Sequence, residues 1–240
     1  MNKLIPYKIG RHLLKAVSIL LALFFIISCQ KTTTDPINTY DYFPLEIGHY
    51  IIYDVHETIY SAGQATPAVN VRQEKDEVDR ILDKSEFSTT YIIARYQRKS
   101  PTENWQKTKE FTITKSPDKI LTNLDNRTVF SLVFPMDLNL KWNGNTYNNQ
   151  DPQNFKYSEI NQPIDVGSLK FTNGVTVIEK EDSSIINKYQ TIKQYALGVG
   201  LVSAEQTAIE YCQDDHCIGD YIIESGFRTS RIINSYNEIK

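Results

Sequence analysis

Chemistry-bearing side chains are densest in one short stretch, Cys212-Gln213-Asp214-Asp215-His216-Cys217. Two readings fit it. Four residues between two cysteines suit a disulfide across the end of a hairpin in an oxidising compartment. A metal site would use Cys212, Cys217, His216 and an aspartate, but structural zinc usually takes four ligands and often paired Cys-x2-Cys spacing. Thiols outside the cytoplasm are also oxidised, so a Cys212–Cys217 disulfide is the expectation and no metal is assigned. So small a loop gains little from closure, and the bridge is expected to pin a turn. The Asp214-Asp215-His216 tip reads as solvated loop.

The other reactive residues make no constellation. His49 and His56 fall seven apart on one expected strand, hence on opposite faces, and each reads as a lone exposed histidine. His56-Glu57 lacks the second histidine of a zinc-protease helix. No serine sits in a G-x-S-x-G elbow. Glu179, Glu181 and Asp182 mark a turn beside a strand, not a glycosidase pair. No glycine-rich phosphate loop occurs, and Gly198-Val199-Gly200 opens no helix with the required spacing. The expectation is a non-enzymatic protein without catalytic residues or cofactors.

The third cysteine belongs to a different signal. Residues 1–15 carry Lys3, Lys8, Arg11 and Lys15 and no acid, and an apolar run follows from Ala16 to Ile27, broken only by Ser18. That run falls short of the roughly 20 residues of a membrane-spanning helix and matches a secretory signal peptide. Ile26-Ile27-Ser28-Cys29 resembles a bacterial lipobox, in which the cysteine is acylated and becomes the mature N-terminus. Two or three acyl chains, palmitate among them, would anchor the protein stably. The expected organisation is a signal peptide over 1–28, a polar tether over 29–38 from lipidated Cys29, and a folded domain over 39–240. The leader holds four of the 26 basic and none of the 29 acidic residues, so its removal takes the formal charge from −3 to −7. That balance argues against nucleic acid and against anionic lipid headgroups. The implied location is the cell envelope at the outer membrane, with periplasmic and surface faces both open.

Strand signals dominate the rest. Apolar, β-branched and aromatic residues enrich 48–60, 87–98, 110–114, 119–124, 169–180 (interrupted at Asn173-Gly174), 186–195, 199–211 and 219–235. Residues 128–134 read as a doubly buried strand or a short helix. The charged stretch 69–84 reads as an edge strand or a surface helix, and the Asn/Gln-rich 143–163 as a long loop. The fold class is therefore all-β, mainly antiparallel: a single curved sheet, half-barrel, barrel or sandwich with minor helix. Within it, Phe43-Pro44-Leu45-Glu46-Ile47-Gly48 is echoed in type by Phe134-Pro135-Met136-Asp137-Leu138-Asn139. Each segment is expected to form one helical turn begun by Pro44 or Pro135 and ended by Gly48 or Asn139 in the left-handed region. The pair would mark two related halves, or two turns that each launch a sheet. Gly198 and Gly200 around Val199 are expected at a bulge or tight bend that admits a close neighbour.

The lipobox, Tyr42-Phe43-Pro44-Leu45 with Gly48, Tyr50 and Tyr53, and Tyr195-Ala196-Leu197-Gly198-Val199-Gly200-Leu201-Val202 together resemble a group of Bacteroidota lipoproteins. Ile51 stands where the group most often has tryptophan. The resemblance implies export and anchoring but no catalytic residues. The architecture is also similar to lipoprotein carriers, which hold acyl chains in a concave sheet. Two functions follow as expectations. One is a binding or assembly module for a protein or glycan partner, contacted through Tyr50, Tyr53, Trp105 and Trp142. The other is a carrier or sensor of an apolar ligand inside the sheet.

Overall fold

The computed structural model describes residues 37–238. A single 3-10 turn, Thr39–Tyr42, precedes twelve strands: β1 (Tyr50–Tyr60), β2 (Ala68–Lys84), β3 (Thr89–Arg98), β4 (Gln106–Ser116), β5 (Lys119–Leu124), β6 (Arg127–Val133), β7 (Lys141–Asn143), β8 (Asn154–Val166), β9 (Leu169–Ser183), β10 (Asn187–Ala196), β11 (Gly200–Tyr211) and β12 (Ile223–Tyr236). All pair antiparallel in one sheet of order β6-β5-β4-β3-β2-β1-β12-β11-β10-β9-β8-β7. The sheet curls nearly into a barrel. It consists of two six-strand meanders, joined where β1 pairs with β12.

Each meander begins right after a Phe-Pro segment. Both segments form a β-turn at the same offset, with His49 N–H bonding the Glu46 carbonyl at 2.9 Å and Leu140 N–H bonding the Asp137 carbonyl at 3.1 Å. The expected helical turn is thus corrected to a β-turn. Gly48 does take a positive φ of 86°. Asn139 is not among the positive-φ residues; its N–H instead donates to Asp137 Oδ1 at 2.7 Å. The Asp137 side chain stabilises that turn without a left-handed residue.

Alternation explains β1, whose Ile51, Tyr53 and Val55 are buried while His56 faces solvent. β2 corrects the edge-strand and helix readings, because it is central, between β1 and β3. Its inward Glu74 and Asp76 are charges that the partner strands neutralise. The long loop is corrected too: β8 starts at Asn154. Register shifts between Tyr157 and Glu159, between Ile160 and Gln162 and between Gln162 and Ile164 break its alternation. Pro163, which has no N–H to donate, sits unpaired in the last of them. Of residues 128–134, those up to Val133 lie in strand β6 rather than in a helix, and Phe134 follows it. β9 runs unbroken through Gly174, where a Cβ would press on Ile164 at 2.6 Å.

The two ends of the sheet, β6 and β7, meet at a seam without a ladder. Phe130 N–H donates to the Gly144 carbonyl at 2.9 Å. Side chains supply the rest: Trp142 Nε1–H to the Phe130 carbonyl (2.8 Å), Asn148 Nδ2–H to the Thr128 carbonyl (2.7 Å), and Tyr157 OH, which donates to the Val133 carbonyl (2.7 Å) and accepts from its N–H (3.0 Å). Backbone groups that a strand edge would leave open are thereby satisfied. Gly144 is required there, since a Cβ would collide with the Phe155 ring.

Candidate functional site

The 3-10 turn and the first Phe-Pro segment plug the end of the barrel at which β1 starts. Asn38 accepts from Tyr40 N–H at 3.3 Å and so begins the turn. Tyr42 is fully buried, and its hydroxyl donates to Asn161 Oδ1 on β8 at 2.6 Å. Burial raises the Tyr42 pKa above that of an ordinary phenol, which keeps the hydroxyl a donor. Gly198 N–H reaches the Asp41 carbonyl at 2.8 Å. From β4, Lys115 Nζ donates to the Tyr40 carbonyl (2.9 Å) and the Phe43 carbonyl (3.1 Å). Burial depresses the Lys115 pKa, and Asp41 partly opposes this. The plug is held by side chains of both meanders.

Behind the plug lies a cavity of about 250 Å³. Pro44, Leu45, Ile51, Val78, Ile93 and Ile113 make its closed end largely apolar. Away from the plug, Thr122, Leu124, Ser131 and Lys193 line both the cavity and a more open depression beside Asp125 and Arg127. Lys193 is paired with Glu179 at 2.6 Å.

A charge cluster flanks the apolar part. Arg95 grips Asp76 with two bonds, at 2.7 and 2.8 Å, and Arg231 donates to the same carboxylate at 2.6 Å. Glu74 accepts from Arg72 and Gln97, both at 2.9 Å, and lies 3.1 Å from Arg231 Nε, an ion pair off hydrogen-bond alignment. Burial would raise the Asp76 carboxyl, but Arg231 and Arg95 outweigh it and hold its pKa at about 2. Glu74 is lowered against burial by Arg231, Arg95 and Arg72. The Arg231 guanidinium also stacks 3.6 Å from the Tyr53 ring centroid, and Tyr53 OH donates to the Leu201 carbonyl at 2.8 Å. Arg231 and Arg95 thus reach β2 carboxylates from β12 and β3. The cluster braces the barrel across β1 and has no idle cation to offer an anion.

His49 is corrected from exposed to buried: it is 5% exposed, lines the cavity, and sets Nε2 2.9 Å from the Val199 carbonyl. His56 is exposed, as expected, on the outer face of β1. Among the described residues neither ring bonds a carboxylate or a serine.

The four expected binding aromatics separate. Tyr53 (2% exposed) and Trp142 (7%) are buried, one under Arg231 and the other in the seam, so the surface role expected of them is corrected. Tyr50 and Trp105 are half-buried, with Lys75 5.5 Å and Arg98 4.2 Å from their ring centroids. Pro44 and Gly48 belong to the plug, and Pro135 and Asn139 to the matching turn before β7. Gly198 lies in the turn between β10 and β11, and Gly200 opens β11 at φ 107° with the Pro44 ring 3.6 Å from where its Cβ would stand. Cys212 and Cys217 are disulfide-bonded, with Cα atoms 5.8 Å apart, in the loop between β11 and β12. Bonded sulfurs leave no thiolate for a metal. Cys29, the signal peptide and most of the tether lie outside the described residues.

Sequence reasoning missed Glu74, Asp76, Arg95 and Arg231. The available signal was Arg72-x-Glu74-x-Asp76, charges of both signs on one strand face, which suits an interior with partners as well as a solvated edge. Searches for a matching protein family and for a similar curated protein found none.

Proposed function

We propose that the protein is an envelope lipoprotein, anchored through Cys29, whose barrel binds a small, largely apolar ligand as a carrier or sensor without transforming it. The observation that carries this reading is the plugged interior. Its cavity exceeds the ~150 Å³ at which an apolar cavity admits benzene, and its walls come from both meanders. The reading based on a protein or glycan partner is weaker, because two of its four aromatics are inside. The charge cluster braces the barrel and is poorly placed for proton transfer, since its carboxylates are already held by fixed guanidiniums.

Naphthalene is a suitable probe of the cavity. Its binding, followed by fluorescence or by methyl resonances of Ile51 and Val78, is expected to saturate at one equivalent. Ala204→Phe, which fills space beside the cavity wall, is expected to weaken it at least tenfold. Unchanged binding in that variant would overturn the assignment. The anchor is tested separately: palmitate labelling of cells is expected to disappear in Cys29→Ala.

A further inference from the structure

One polar atom at the plugged end of the cavity has no partner. His49 Nε2 faces the Val199 carbonyl, and a carbonyl only accepts, so Nε2 carries the proton. In the neutral ring Nδ1 is then a bare acceptor, buried, and no group among the described residues donates to it. The backbone fixes the residue from both sides, with His49 N–H on the Glu46 carbonyl (2.9 Å) and Val78 N–H on the His49 carbonyl (2.8 Å). Of the side chains that line the cavity, Leu45, Ile51, Val78 and Val199 offer no donor, and Tyr53, Arg95, Arg231 and Lys193 are engaged with Leu201, Asp76 and Glu179. Two other buried atoms lack a hydrogen bond, Glu179 Oε1 and Arg231 Nε, but each lies beside an opposite charge, at 2.6 and 3.1 Å. His49 Nδ1 has neither kind of partner, and a buried acceptor left so calls for one.

We propose that His49 Nδ1 is the polar anchor of this cavity and takes a hydrogen bond from the hydroxyl of a compact, uncharged and otherwise apolar ligand, an alcohol or phenol. The inference rests on the reading of the interior as a ligand cavity and specifies what that cavity selects. A carboxylate would meet the Nδ1 lone pair with repulsion, and Arg95 and Arg231 are already taken by Asp76 and Glu74. An ammonium would have to shed its water at an apolar end without a counter-charge. A hydroxyl gives Nδ1 its missing donor and brings no charge.

The test compares para-propylphenol with its methyl ether, para-propylanisole, which has the same body but no donor. The phenol is expected to bind roughly tenfold tighter, the usual consequence of leaving a buried acceptor unmatched. It is also expected to shift the His49 Nδ1 nitrogen resonance, which the ether leaves in place. His49→Phe is expected to level the two affinities. Should that variant fail to fold, the resonance of the unaltered protein decides. Equal affinities, an unmoved Nδ1 resonance, or a preference that survives in His49→Phe each overturn the anchor while the cavity stands. Binding of neither compound removes the cavity function itself and the anchor with it.

Discussion

The barrel is joined in two places, and the joints are built differently. At β1–β12 the chain pairs from Ile51–Tyr236 to Tyr60–Gly226, with one register shift. At β6–β7 it relies on one backbone bond and three side chains, Trp142, Asn148 and Tyr157. The first joint repeats a two-residue pattern that many sequences satisfy, and its extra strength comes from Arg231 reaching Asp76 and Glu74 across β1. The second depends on particular rings at particular positions, with Gly144 kept small so that Phe155 fits. A joint made by the backbone tolerates change in most of its side chains, the Arg231–Asp76 brace excepted, whereas at one made by side chains each ring and amide counts.

Asp76→Asn attacks the brace of the first joint. With Arg95 and Arg231 left buried and underpaired, it is expected to cost about 3–5 kcal/mol in urea unfolding and to lower amide protection throughout the sheet. Acid should act on the same brace. The Asp76 carboxyl is depressed in the folded state, so the unfolded chain takes up its proton first as pH falls. Its contribution, on the order of 2–3 kcal/mol, is complete above about pH 4 and drains away toward pH 2. Asp76→Asn is expected to flatten that part of the stability curve. Tyr157→Phe removes both bonds to Val133 and is expected to cost about 1–3 kcal/mol, with faster hydrogen exchange concentrated in β6. An equal loss of protection in β1 and β12 would show that the two joints do not behave separately. The smallest effect belongs to Cys212→Ser with Cys217→Ser. Closing so short a loop is worth about 2 kcal/mol at most, and the change is expected to stay near the loop between β11 and β12.

The strands were legible where β-forming residues ran unbroken between turn signals. β1, β3, β5, β10 and β11 stand close to their expected bounds because β-branched and aromatic residues recur in each between turn residues. β8 was hidden because its three register shifts spoil the alternation and Pro163 imitates a loop. β2 was misread for a different reason. Local sequence shows charge, but whether charge faces water or a guanidinium from β12 depends on a residue 155 positions away from Asp76. The same limit applies to the site. His49 could be named as a histidine on β1's approach, yet its burial depends on Val199 and on the plug, and neither is visible from its neighbours in the chain. The echo of the two Phe-Pro segments was informative at the coarse level, since each does launch a six-strand meander.

The plug is manufactured first and can be seated only last. Asp41 and Tyr42 leave the ribosome well before their docking points, Asn161 and Gly198, exist. During synthesis this segment must therefore wait, its tyrosines unsheltered, while the second meander is delivered. A chain terminated before Asn161 would possess a finished stopper and no vessel to fit it. Sealing this container thus doubles as a check that the chain has been delivered at least as far as Gly198.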